Sequence, residues 1–246
     1  MATTDWQSLF EDRRGSEHAL PWNDPQLLTV AERRLVLASI QQFQLGEGSG
    51  GSGLLRRALA SRLGRGDSAF VPTLRLFIAE EQRHSWILRE FLRRENTPCL
   101  SHHWVDGVFR RVRKLAGLEL CLTVLVSAEI VAVPYYSALS RATNSLLLRA
   151  ICAQILRDEA DHLRYQAENL ARLRALRPRR RPETEWLLWR WFFAATLLVV
   201  WRHHGRVLRA GSYKFAELQR ECLRLLRDTN AAPCTQPAVL RQPAVS

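Results

Sequence analysis

The chain has 246 residues, 47% apolar and 24% charged, with a formal net charge of +12. That length holds one well-buried core without requiring two domains. Cys99, Cys121, Cys152, Cys222 and Cys234 contain no CxxC pair, which argues against a disulfide scaffold and a zinc ribbon and fits a reducing compartment.

The basic charge is a weak guide to partners. Only Lys114 and Lys214 are lysines among 36 basic residues, so an arginine preference explains it as readily as a nucleic-acid or membrane footprint. The polar opening MATTDWQSLFEDRRG lacks the apolar segment of a signal peptide, and a cytoplasmic location is expected.

Apolar residues recur three and four apart over long windows, and alternating β-branched runs are scarce, so the chain reads as all-α. Residues 1–24 read as an irregular arm. Asn23-Asp24-Pro25 reads as a helix start, and a first helix is expected from Pro25. The stretch QLGEGSGGSGLL, residues 44–55, carries five glycines around Glu47 and is either a loop or a weak part of that helix. A turn at Gly64-Arg65-Gly66-Asp67 leads to a second helix ending near Asn96, capped by Asp67 or Ser68. The long connection 97–112 suits a crossover. A third helix covers roughly Arg113 to Arg141 and is broken locally by Pro134. A fourth covers Ser145 to Ala175.

The run Arg174 to Pro182 reads as a solvated linker. A fifth helix follows from Glu185 to about Arg209. Its apolar stretch Trp186 to Trp201 is too short to span a bilayer and suits packing on the bundle better than interfacial attachment. His203 and His204 are placed at its end as partners of the helix dipole. A sixth helix covers Tyr213 to Asp228, and residues 229–246 read as a disordered tail. The divisions are therefore 1–24, a bundle over 25–175, a linker with two packed helices over 176–228, and the tail.

Two stretches share a pattern. AEEQRHSW places Glu81 and His84 three apart, and RDEADHLRY does the same with Glu159 and His162. On a helix, residues i and i+3 share a face, so each pair can aim a carboxylate and an imidazole at one metal ion. Glu129 lies in an almost wholly apolar helix, where a lone carboxylate is costly unless neutralised, paired or bound to a cation. Gly64 is equidistant from Glu47 and Glu81, and Asn144 from Glu129 and Glu159. In antiparallel hairpins each pair then sits at one height. This symmetry favours one long first helix, about Pro25 to Leu63, with Glu47 inside it. The acids before each Glu-x-x-His, Glu80 and Asp158, are placed to orient the histidine of the opposite helix, Asp158 on His84 and Glu80 on His162.

These six positions on four helices resemble the ferritin-like di-iron carboxylate superfamily across residues 25–175. The resemblance implies an all-α ferritin-like four-helix bundle, here with two additional C-terminal helices. It implies that Glu47, Glu81, His84, Glu129, Glu159 and His162 hold two iron ions, or a manganese–iron pair, with O2 as cosubstrate. Several members are set aside by residues they need: there is no CxxC module of rubrerythrins, no methionine beyond Met1 for a bacterioferritin haem, and Leu88, Ile155 and Val133 stand where other families use tyrosine, histidine and threonine.

In size and ligand layout the chain is similar to aldehyde-deformylating oxygenases and tRNA hydroxylases. The expected activity is oxidation of an apolar or amphipathic small molecule, with electrons from a partner reductase, by a monomer or homodimer without a transmembrane span. Two alternatives stay open: a ferroxidase or peroxide-handling protein, and a basic bundle that binds RNA or a membrane surface, a tRNA hydroxylase included. The glycines beside Glu47 would form a thin wall, serving either access to the metals or close packing. Tyr135, Tyr136, Tyr165 and Trp86 are candidates for electron transfer as well as for core packing.

Overall fold

A computed structural model describes residues 4–15, 20–48, 51–103, 107, 117–176 and 183–230. The first helix, α1 (Trp6–Gly15), lies within the segment expected as an irregular arm. Its apolar face explains the difference. Trp6 and Phe10 are buried and pack edge-on against Tyr165, with ring centroids 5.8 and 5.4 Å away. Tertiary burial thus stabilises a ten-residue helix too short to be stable alone.

The next helix, α2 (Val30–Glu47), begins at a capping box rather than at Pro25. The Thr29 hydroxyl accepts the Glu32 N–H at 3.2 Å, and the Glu32 carboxylate accepts the Thr29 N–H at 2.9 Å. Glu32 also accepts hydrogen bonds from Thr143 and from the Asn144 N–H, at 3.0 and 2.7 Å. Burial alone would raise its pKa, but bonds from Asn144, Thr29 and Thr143 bring it down to about 2.

The helix stops at Glu47 instead of continuing to Leu63. Glycine costs about 0.5–1 kcal/mol relative to alanine in a helix interior, and the chain breaks where glycines crowd together. It resumes as two short helices, α3 (Ser52–Ala60) and α4 (Arg62–Gly66). Ser49 and Gly50 lie outside the described residues.

Two antiparallel hairpins form the bundle. In one, α2 packs on α5 (Phe70–Arg94); Arg33 binds Glu95 at 2.5 Å near one end, and Gln44 donates to Ser85 at 2.9 Å further along. In the other, α6 (Leu118–Arg141) packs on α7 (Leu146–Ala175). Contacts between α5 and α7 join them. Residues 104–106 and 108–116 of the long α5–α6 connection lie outside the described residues, as do 177–182 of the arginine-rich linker.

Pro134 leaves the carbonyl of Ile130 without its helical N–H, and the Cys222 thiol approaches that oxygen at 3.9 Å. Cys222 belongs to α9 (Phe215–Asn230), which packs on α6 and α7. This helix runs two residues into the segment expected as a disordered tail, and 231–246 are outside the described residues.

The apolar helix α8 (Glu183–Ala210) packs on α6 and α2 through Phe193, Leu197 and Val207, while Leu188, Trp191 and Leu198 face outward. Among the described residues, only α6 is long and apolar enough to cross a bilayer, and 78% of that window is buried inside the bundle. All described elements are helices, and no strand occurs among the described residues.

Candidate metal centre

Helices α5 and α7 each carry a glutamate and a histidine one turn apart on the face that meets the other helix. The ligating atoms of Glu81, His84, Glu159 and His162 all lie within 4.8 Å of one another. His162 Nδ1 is 3.0 Å from Glu81 and 3.8 Å from Glu159, and His84 Nδ1 is 3.9 Å from each of these carboxylates. Both histidines are fully buried.

Their outer nitrogens are fixed. His84 Nε2 lies 2.9 Å from Asp158 Oδ2, and His162 Nε2 lies 2.9 Å from Glu80 Oε2. With Nε2–H donating to these carboxylates, each Nδ1 is turned inward, and in the neutral imidazole it carries the lone pair. Arg83 reaches both acids, at 3.0 Å from Asp158 and 3.3 Å from Glu80. Arg13 of α1 approaches the same two at 3.5 and 3.7 Å and pairs with Asp161. Glu80, Asp158 and Asp161 thus share Arg83 and Arg13, and Arg164 also pairs with Asp161 at 3.1 Å.

The remaining two glutamates come from α2 and α6. Glu47 accepts a hydrogen bond from Tyr136 at 2.8 Å, and Glu129 accepts one from Gln166 at 3.4 Å. Burial raises the pKa of Glu47, Glu129 and Glu159, and nearby carboxylates raise each further. For Glu81, burial is outweighed by His162 and His84, and its pKa falls. His162 is raised because Glu159, Glu80 and Glu81 outweigh its burial.

Glu81 Oε1, His84 Nδ1, Glu129 Oε2, Glu159 Oε2 and His162 Nδ1 are all buried without a hydrogen-bond partner among the described residues. Buried polar atoms are ordinarily paired. Four of them belong to Glu81, His84, Glu159 and His162, whose ligand-type atoms lie within 4.8 Å of one another, and carboxylate oxygens with imidazole nitrogens are the donor types of a hard or borderline cation. This group could hold a metal ion, and with Glu47 and Glu129 the four carboxylates carry the charge that two divalent ions would balance.

A cavity of about 420 Å³ adjoins this centre and is lined by Glu47, Glu81, Glu129 and Glu159 together with apolar groups such as Phe77, Ile78 and Val124. Gly46, Ser52, Arg56 and Gln82 line it and are exposed, which puts its opening beside the glycine break. Glu159 and Glu129 are the shielded carboxylates, at 1% and 5% exposure, whereas Glu47 is half-buried on the open side.

Several contributors escape sequence reasoning. Arg13 and Phe10 come from the supposed arm, and the Phe10 ring lies 6.1 Å from His162. The apolar spacing of Trp6, Leu9 and Phe10 is the only sequence signal for them. Tyr136 and Gln166 look like ordinary core and surface positions. His204, expected at a helix end, lies six residues before the end of α8 and faces inward, so a dipole role does not describe it.

No protein-family profile matches the chain, and comparisons with curated proteins and with solved structures give no match.

Proposed function

We propose that Glu47, Glu81, His84, Glu129, Glu159 and His162 hold two iron ions, or a manganese–iron pair, in a ferritin-like bundle. The protein is then a non-haem di-iron oxidase or oxygenase acting on an apolar or amphipathic small molecule, with electrons from a partner reductase. The observation that carries this reading is the convergence of Glu81, His84, Glu159 and His162 donor atoms within 4.8 Å, with Glu47 and Glu129 lining the same cavity. Bound there, the metals would supply the redox chemistry that couples O2 to oxidation of the substrate.

The chain's own residues have separable tasks. Asp158 and Glu80 hold the histidine tautomers, so that Nδ1 needs no reorientation to bind. Glu159 and Glu129 form the enclosed wall of the centre. Glu47, last in its helix and flanked by Gly46 and Gly48, is the carboxylate with room to move, and Tyr136 holds its position through one hydrogen bond. Phe77, Ile78 and Val124 keep water from the side where substrate would lie. The same six residues would serve iron oxidation alone, and the apolar cavity beside them favours an organic substrate.

Anaerobic titration with Fe(II), followed by exposure to oxygen with optical detection, tests this reading. Two irons per chain and a ferric absorption lost in Glu129→Ala are expected. Absence of stoichiometric uptake, with no effect of the substitution, would overturn it.

A further inference from the structure

Among the polar groups on the cavity wall that have no task in the metal centre, His204 is buried and held by a built network. His204 is 8% exposed and lines the cavity. Its ring packs against Phe43 and Tyr135, with centroids 4.9 and 5.4 Å away. Its Nδ1 lies 2.8 Å from Ser39 Oγ, and Ser39 Oγ lies 3.0 Å from the Tyr135 hydroxyl. Ser39 and Tyr135 are themselves buried, so three helices, α2, α6 and α8, build this corner. The one hydrogen bond of this ring to a described residue is made by Nδ1, which leaves Nε2 without a partner among the described residues.

Hydroxyl hydrogens rotate to suit their neighbours, and the histidine tautomer follows from the network. If Ser39 donated to Tyr135, the buried Tyr135 O–H would lack an acceptor among the described residues. With Tyr135 donating to Ser39 and Ser39 donating to Nδ1, every hydrogen is used. The proton of the imidazole then sits on Nε2.

We infer that His204 Nε2–H is a specificity-determining donor, and that the cavity takes an apolar molecule carrying one neutral hydrogen-bond-accepting oxygen, such as a ketone, ester or ether. This rests on the cavity being the substrate pocket of the proposed enzyme. Burial, with His203 and His103 nearby, lowers the His204 pKa to about 3, so the ring is neutral under ordinary conditions. A neutral donor suits a neutral oxygen, and the guanidinium groups that line the cavity, Arg56 and Arg57, belong to α3 rather than to the helices that build the His204 corner. An acceptor oxygen bonded to Nε2 fixes which part of an otherwise featureless apolar molecule faces the carboxylates.

The test uses the full chain without added iron, with cyclooctanone and cyclooctane as probes of matched shape. In His204→Phe, the affinity for the ketone relative to the hydrocarbon should fall about fivefold, the size of one ordinary hydrogen bond, while hydrocarbon binding persists. In the unaltered protein, the nitrogen resonance of His204 Nε2 should shift with cyclooctanone and not with cyclooctane, a readout independent of how the variant folds. An unchanged ratio in a folded variant, or a resonance moved by neither probe or equally by both, overturns the inference. Metal uptake is read separately. Two metals per chain without ketone preference would sink only the role of His204, whereas ketone preference without metal uptake would sink only the metal centre.

Discussion

Glu129 sits at 5% exposure between buried Ile130 and the apolar cavity wall, with Gln166 as its one hydrogen-bonding neighbour. Burial, with Glu159 and Glu81 nearby, raises its pKa. Glu47, Glu129, Glu159 and His162 all have folded pKa values raised above their unfolded ones. The stability they contribute is present below the unfolded values and is lost as pH rises through the folded ones. Glu81, whose pKa is lowered, titrates below this range, and His203 and His204, lowered by burial, act in the opposite sense as two groups against four. The metal-free protein should therefore be less stable at about pH 8 than at about pH 5, as chemical denaturation would measure. Glu129→Gln should reduce that loss, because it removes one of the buried charges.

Asp158 makes a second prediction at the scale of one residue. Asn at that position can still accept from His84 Nε2–H but carries no charge. Metal affinity should fall about 10–100-fold, read by competition with a chelator, with helicity unchanged. The four central residues are legible in the sequence because i, i+3 spacing on a helix dictates a shared face. The acids before each glutamate are legible for the same reason, since one residue's rotation turns them toward the neighbouring helix. Tyr136 and Gln166 are not legible: nothing in a pattern of spacing tells a core tyrosine from one that donates to a carboxylate.

At the scale of elements, the glycine break is the informative feature. Equidistance from Gly64 places Glu47 level with Glu81, yet the helix ends at Glu47 itself, because alignment of a hairpin requires no helix beyond the aligned residue. A Cβ at Gly51 would lie 2.5 Å from Ile78, whereas a Cβ at Gly46 would meet nothing within 4 Å. Gly46→Leu should therefore fold and bind metal normally while slowing entry of apolar ligands, measured by stopped-flow binding of a fluorescent hydrophobe. Gly51→Leu should cost about 1–3 kcal/mol of stability through overpacking against α5. Equal stability in the two variants would contradict this assignment of the mouth. The helix α1 and the inward face of His204 were hidden for a different reason. Both depend on how far an apolar helix continues and what it packs against, which propensity alone does not determine.

Across the whole molecule, two helical hairpins place six ligand-type side chains at one level, and α8 closes a cavity beside them. The all-α bundle is readable from the periodicity of its apolar residues. Part of the arginine charge serves internal ties, such as Arg33 on Glu95 and Arg13 and Arg83 around the outer acids. Because the donor set is assembled only in the folded chain, metal binding should stabilise the whole protein by mass action. A free ion concentration one hundred times its Kd adds about 2.7 kcal/mol. Thermal unfolding with Fe(II) or Mn(II), and again after chelation, should show a reversible rise and fall in Tm.

The most direct measurement is anomalous X-ray diffraction at the iron edge from crystals of the Fe(II)-loaded protein. Two peaks are predicted, one beside each inward histidine nitrogen, among Glu47, Glu81, Glu129 and Glu159. No peak there, with the two histidines instead hydrogen-bonded to protonated glutamates, would contradict a metal centre in this bundle.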